Sequence, residues 1–439
     1  MKKIKLIISL ILAITAIFAL ASCSDDADGE TPKSSGKTIT LNVYNWGEYI
    51  ADGSLDFPNT NKMFEEYYYE KHGVRVEVNY TTYATNEDMY SKLKNSAVVY
   101  DVVVPSDYMI QKMIEEDMLL EYNVAEEIEN FGNISDEYKG LYYDESNRYS
   151  VAYTCGMIGI IYNTDLVDPE DYEEESWGLL WNDKYRGKIL QFNNPRDAFG
   201  SAMYYTGIDI NSTNTADWDK ALEVLKRQKP LVQGYVNDEI FNKMTTASAA
   251  IAPYFVGDYI TMAEDNESLA FYYPKEGVNY FVDAMCIPKN ASQPEIAKEY
   301  INFMLTEDAA VANAEYIGYA SPNMLVRNNA DYAEYMGEDA MKLLYDRAPS
   351  EINADYNARF GTTCYKNFSP EIQAHVNTLW ESLKTENSTE LWVHITSIAI
   401  VALVVTLAVY TTYVKKKRSR DYRLRDRQKK LERQQKAKQ

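Results

Sequence analysis

Between residues 38 and 104 the chain alternates short apolar runs with helical segments, and this alternation constrains the fold more than any other feature. Ile39, Leu41 and Val43 recur at the two-residue period of a strand. Residues 63–72 read as a helix stopped by Gly73, a residue suited to the position just past a helix end. A second strand is expected over 74–78, a helix over 87–94, and a buried strand over 98–104 ended by Pro105. Strands separated by helices pair in parallel, so the expected class is α/β.

The first strand runs into Tyr44-Asn45-Trp46-Gly47-Glu48-Tyr49, an aromatic and acidic turn. In open α/β sheets, ligands bind in the crevice beyond the carboxyl ends of the strands, so Trp46, Glu48 and Tyr49 are placed at such a crevice. An indole, a phenol and a carboxylate suit an organic cation. The carboxylate gives charge-assisted hydrogen bonds, and a ring face attracts an ammonium by about 0.5–2 kcal/mol. A core tryptophan beside a solvated glutamate is the plainer alternative. Ser106 and Tyr108 follow the 98–104 strand and fall at the same edge, although Ser106 suits equally well the N-cap of the next helix.

Tyr44-Asn45-Trp46-x-Glu48-Tyr49 resembles the opening of the bacterial spermidine/putrescine-binding proteins, the solute-binding components of ABC importers. The likeness runs from about residue 38 to 326. It includes Val103-Val104-Pro105-Ser106-Asp107-Tyr108, Tyr185-Arg186-Gly187, Pro195-Arg196-Asp197, Gly257-Asp258-Tyr259, Pro274-Lys275-Glu276-Gly277, Phe281-Val282-Asp283-Ala284 and Ile317-Gly318-Tyr319-x-x-Pro322-Asn323. The resemblance implies a two-lobed periplasmic-binding-protein-like (type II) fold with a hinge. Lobe one is expected from 38–157 and 283–327, and lobe two from 158–282 and 328–386. The crossing is expected between Tyr153 and Tyr162, where glycines also suit a hinge. A polyamine ligand, an ABC permease with its ATPase, and a monomer are implied too.

Two readings meet at Asn194-Pro195-Arg196-Asp197. The residue types start a helix, with Asn194 as N-cap, Pro195 at the first position and Asp197 in the first turn. The resemblance points Asn194 and Asp197 into the cleft, where spermidine-type members usually carry two carboxylates. Asn194 supplies an amide instead, so the choice between putrescine and spermidine stays open. Phe255 and Phe281 stand where the family often has tryptophan, and Asp258 where putrescine-type members have a cleft carboxylate; it also suits the cap of a helix over 259–264. Asp283 interrupts an apolar strand, and a carboxylate there needs a partner. With Tyr319, the expected constellation is an aromatic box of Trp46, Tyr49, Phe255, Phe281 and Tyr319 around Glu48, Asp197, Asp258 and Asp283.

The formal charge of -22 is unevenly spread, since residues 415–439 alone carry 13 Lys/Arg against 3 Asp/Glu. An acidic body argues against nucleic acid and favours cations. Lys2, Lys3 and Lys5 precede an apolar run over 6–20, the pattern of an export signal. Leu20-Ala21-Ser22-Cys23 resembles a lipobox, which makes residues 1–23 a lipoprotein signal peptide with Cys23 acylated and 24–37 a flexible tether. Residues 391–413 are almost uniformly apolar and long enough to cross a bilayer, so one C-terminal transmembrane helix is expected. The basic segment 414–439 would then be cytoplasmic and the binding domain extracytoplasmic, at the cytoplasmic membrane.

Cys155, Cys286 and Cys364 lack metal-ligand spacing and read as buried thiols, with one disulfide left open; no metal or cofactor is expected. Carboxylates with aromatics also describe glycoside hydrolases, but no nucleophile with a histidine partner is visible, and His72, His375 and His394 lie outside the cleft motifs. Binding without catalysis is therefore expected, with a membrane-tethered polyamine sensor ectodomain or a carbohydrate-active enzyme as the alternatives.

Overall fold

A run of parallel strands forms because each apolar segment is followed by a helix that returns the chain to the same sheet edge. In the computed structural model β1 (Ile39–Trp46) pairs in parallel with β2 (Val76–Tyr83) and β3 (Val102–Val103), with helices α1 (Thr60–His72) and α2 (Asn86–Asn95) between them. The structure describes residues 38–95, 98–385 and 398–411, together with 414, 415, 417, 425 and 429. Helix α3 (Asp107–Glu115) follows β3, and β4 (Ser150–Asn163) then runs for 14 residues, all buried.

The second half contributes β5 (Ile189–Phe192), β6 (Val232–Val236), β7 (Ile251–Phe255), β8 (Leu269–Tyr272) and β9 (Tyr280–Cys286). Strand order is β2-β1-β3-β9-β4-β7-β5-β6, with β8 also against β4. β5 lies parallel to β6 and β7, whereas β4 is antiparallel to β7, β8 and β9. From Ser150 to Met157, β4 pairs with β9; from Ile158 onward it pairs with β7 and β8. The antiparallel pair β4–β9 is thus the backbone that both lobes share.

Each lobe has its own core. Lobe one packs Leu41, Val43, Phe64, Val102, Tyr300 and Ile301, and lobe two packs Trp177, Leu190, Phe199, Tyr204 and Trp218. In lobe two, α4 (Pro195–Thr206) and α6 (Val256–Asp265) pack on the sheet, and α5 (Thr215–Gln228) packs on α4. In lobe one, α7 (Pro294–Met304) and α8 (Glu307–Ile317) follow β9.

Several expectations need correction. The strand expected over 98–104 is reduced to Val102–Val103, and Val98 is 48% exposed. The run is interrupted because Asp101 turns its carboxylate to the amides of Asn42, Ser292 and Gln293, fastening a loop to β1. The strand expected at 74–78 begins at Val76 and runs on to Tyr83, beside β1. The helix expected over 259–264 begins at Val256, so Asp258 lies inside the first turn instead of capping it.

Residues 328–346, assigned to lobe two, stay with lobe one. Tyr332, in helix α9 (Ala330–Met336), is fully buried against Ala310, Ala314 and Val326, and Leu344 joins the lobe-one core. The Tyr345 hydroxyl accepts from the Ser321 amide. The chain reaches lobe two only afterwards, where Asn353 accepts from the Val278 amide and Tyr356 enters that core; α10 (Pro370–Thr385) completes it.

Cys155, Cys286 and Cys364 are free thiols, the first two buried. The signal segment with Cys23 and the tether 24–37 lie outside the described residues. Of the span expected over 391–413, residues 398–411 are described as helical, with their apolar side chains exposed. Among the described residues no helix is long and apolar enough to cross a membrane, so the expected transmembrane helix gains no support here.

Candidate functional site

β1 delivers its indole inward and then turns. Trp46 Nε1 donates to the Val104 carbonyl at 2.9 Å, and the ring tilts over Tyr83 with centroids 4.6 Å apart. Glu48 takes a positive φ of 50°, a conformation rare outside glycine, and this reversal sends Tyr49 into the interior. Glu48 itself is left exposed at the rim, where its carboxylate accepts from the Tyr316 hydroxyl at 2.6 Å.

Tyr49 reaches the strands shared by the lobes. Its hydroxyl donates to Asp283 Oδ2 at 2.6 Å and lies 2.7 Å from Thr154 Oγ1. Asp283 sits mid-strand in β9, 4% exposed, and its Oδ1 has no hydrogen-bond partner among the described residues. Burial pushes its pKa up to about 6, although the hydroxyls of Ser106 and Tyr49 pull the other way. A buried acceptor left without a donor carries a desolvation cost of roughly 1–3 kcal/mol, more when charged, which a cationic ligand would relieve.

Asp258 is the second carboxylate, half-buried. Burial raises its pKa to about 7, the charge of Asp238 adds to this, and the Tyr319 hydroxyl, which donates to Oδ2, opposes it. Between Asp283 and Asp258 stands a wall of rings. Tyr319 lies 5.7 Å from Tyr49, 5.9 Å from Phe281 and 6.4 Å from Phe255 by centroid, and Phe255 and Phe281 meet edge to face at 5.5 Å. A side chain at Gly156 would come within 2.8 Å of the Phe281 ring, so a glycine in β4 is what admits that ring.

The remaining expected residues form a neighbouring group. Ser106 bridges to Asp283 along the backbone, and its Oγ accepts from Asn86 Nδ2 at 3.0 Å; the hydroxyl makes no capping bond to α3. The Tyr108 hydroxyl accepts from Asn86 at 3.1 Å and donates to Glu87 at 3.2 Å. Asn194 caps α4 through the Asp197 amide, and its Nδ2 donates to Asp197 Oδ2 at 2.8 Å. Asp197 Oδ1 accepts from the Tyr365 hydroxyl at 3.1 Å, so both of its oxygens are bonded within the protein.

Thus Trp46, Tyr49, Phe255, Asp258, Phe281, Asp283 and Tyr319 come together, Ser106, Tyr108, Asn194 and Asp197 adjoin them, and Glu48 marks the rim. Sequence reasoning assigned no role to Arg196, which is buried with its guanidinium 3.5 Å from the Phe368 centroid and 4.4 Å from that of Tyr365. Arg196 stood inside a quoted motif and could have been found. Thr154, Tyr316 and Tyr365 had no local signal. Among the described residues, no group of three or more His, Cys, Asp or Glu side chains is placed to hold a metal ion.

Two lobes joined by a shared strand pair thus bring one buried carboxylate, Asp283, and one half-buried carboxylate, Asp258, together with an aromatic wall. Residues 62–337 match the family described as bacterial extracellular solute-binding protein. The chain belongs to this family. This solute-binding protein is 32% identical over 338 residues to the spermidine/putrescine-binding periplasmic protein of Escherichia coli (strain K12), covering 76% of this chain and 92% of that one. It is 33% identical to the protein of that name in Salmonella typhimurium, covering 66% and 79%. Among solved structures it is similar to a putative spermidine/putrescine ABC transporter from Listeria monocytogenes (29% identity, TM-score 0.66, 79% of this chain and 99% of that one). It is likewise similar to a spermidine/putrescine ABC transporter substrate-binding protein from Streptococcus pneumoniae (30% identity, TM-score 0.62, covering 79% and 98%).

Proposed function

We propose that this solute-binding protein captures a polyamine outside the cytoplasm and delivers it to the permease of an ABC importer. The observation that carries this reading is Asp283, a buried carboxylate with one oxygen unpartnered among the described residues, facing a ring-lined site that also holds Asp258. A polyamine presents ammonium groups separated by methylenes. The rings of Trp46, Phe255, Phe281 and Tyr319 sandwich the methylenes, while Asp258 and Asp283 take the ammonium ends. Asp197, already bonded by Asn194 and Tyr365, shapes the adjoining end more than it binds charge.

The cycle is binding and closure without catalysis. Carboxylates that repel one another favour separated lobes, a dication removes the repulsion, and the closed form docks on the permease. Titrating the full chain with putrescine, spermidine and cadaverine by calorimetry tests the reading; no measurable binding of any of them overturns it.

The same reading places the binding domain on the extracytoplasmic side of the cytoplasmic membrane, held by lipid on Cys23 and by the apolar segment 391–413. Support comes from the lipobox-like Leu20-Ala21-Ser22-Cys23 and from the exposed apolar side chains at 398–411, followed by basic residues. Ending the chain at residue 387 while also replacing Cys23 with serine should release the protein from membranes. Retention after both changes would refute the double tether.

A further inference from the structure

Gly257 is the second residue of α6, and it is buried. Its φ is not in the left-handed region, so the backbone does not demand a glycine. A glycine inside a helix costs about 1 kcal/mol relative to alanine, and such a cost calls for a packing reason. The reason is visible: a Cβ at position 257 would lie 1.5 Å from Tyr319 Cδ1, 2.1 Å from Cε1 and 2.7 Å from Cγ. The ring that would be displaced comes from lobe one, whereas α6 follows β7 of lobe two and packs there through Met262 and Tyr259, with Val256 and Ile260 turned to the lobe-one core.

The opposing segment is shaped to match. Gly318 ends α8 with a φ of 74°, and a Cβ there would lie 3.3 Å from the Gly257 carbonyl oxygen and 3.2 Å from Thr261 Oγ1. Two glycines, one from each lobe, therefore allow the backbones to approach with no side chain between them. Tyr319, the next residue, lays its ring across Gly257 and donates its hydroxyl to the neighbouring Asp258.

We propose that Gly257 is a positioning residue of the binding site: its bare α carbon is the seat on which Tyr319 rests, and the Gly257–Gly318 contact sets how closely the lobes meet around the ligand. Gly257 touches no ligand in this scheme. It acts through Tyr319, whose ring closes the aromatic wall and whose hydroxyl orients Asp258. The inference rests on the polyamine reading above for the identity of the ligand, but the seat itself is a property of the two lobes.

The test uses the full chain carrying Gly257→Ala, Tyr319→Ala, or both. Gly257→Ala is expected to weaken putrescine and spermidine by about 30-fold or more in calorimetric titration, and the double variant to bind as Tyr319→Ala alone does, because coupled residues are non-additive. Losses that simply add, or Gly257→Ala binding within about threefold of the parent, overturn the proposal. Hydrogen exchange without amine gives a readout that needs no ligand: faster exchange at 256–262 and 317–320 in Gly257→Ala, with 282–286 unchanged, is expected. Unchanged exchange at the two segments overturns the seat. If the parent binds no polyamine, the functional reading fails while the exchange result still decides this one. If Gly257→Ala does not fold, a folded double variant supports the seat, and an unfolded one shows that the glycine serves lobe two alone.

Discussion

The hydroxyl of Tyr49 donates to Asp283 at 2.6 Å, tying the turn after β1 to a strand that both lobes share. The bond leaves Asp283 Oδ1 without a partner among the described residues, and the first prediction follows from that oxygen. Breaking a desolvated ion pair costs about 3–5 kcal/mol, so Asp283→Asn should weaken polyamine binding by two to three orders of magnitude. Calorimetry checks this; a change within about twofold would show that no ammonium sits there.

Asp197 behaves differently because Asn194 and Tyr365 already occupy its oxygens. Asp197→Asn should lower polyamine affinity by less than about tenfold, well below the effect of Asp283→Asn. An equal loss for the two variants would move the second ammonium from Asp258 to Asp197.

pH should act on stability and on binding in opposite directions. Asp283 and Asp258 have folded pKa values of about 6 and about 7, above the ordinary 3.8, so between these values the folded protein holds more protons than the unfolded chain. Their contribution to stability is greatest below pH 4 and is lost as pH rises through 7, by roughly 2 kcal/mol or more for each group. A dication prefers the ionised carboxylates, so affinity should fall as pH drops below 7, with protons released on binding near pH 6. Thermal melts of Asp283→Asn and its parent from pH 5 to 8, with and without putrescine, measure both slopes. A parent and variant with the same pH dependence would refute the assignment.

Arg196 is buried against Phe368 and Tyr365 and donates to the Asn211 side chain and the Lys366 carbonyl. Arg196→Ala should destabilise the protein by about 2–4 kcal/mol in urea unfolding, through lost ring packing and two lost hydrogen bonds. Arg196→Lys should recover little of this, since an ammonium lacks the planar face that stacks on both rings. Full recovery by lysine would mean that charge alone matters.

Legibility in the sequence followed the range of the forces involved. β1, α1 and the cap of α4 were readable because strand period, a terminal Gly73 and Asn194-Pro195 are local signals. The burial of Asp283 was readable because a carboxylate inside an apolar strand has no solvated side to turn to. The 98–104 strand was overestimated because Asp101 is held by Ser292 and Gln293, nearly 200 residues away. The placement of 328–346 was missed for the same reason: Tyr332 finds its pocket against Ala310 and Ala314, and apolar periodicity does not say which lobe a helix covers. Tyr316 and Tyr365, which hold Glu48 and Asp197, carry no pattern at all along the chain.

Asp283 and Thr154 occupy paired positions on β9 and β4, at the register shift after Ala152. In the proposed binding cycle the ligand is therefore held near the fulcrum. A small rotation about these strands moves a carboxylate on them little, while points farther from the strands travel a longer arc. In that proposed cycle a contact made at the axis becomes a larger displacement at the outer edge.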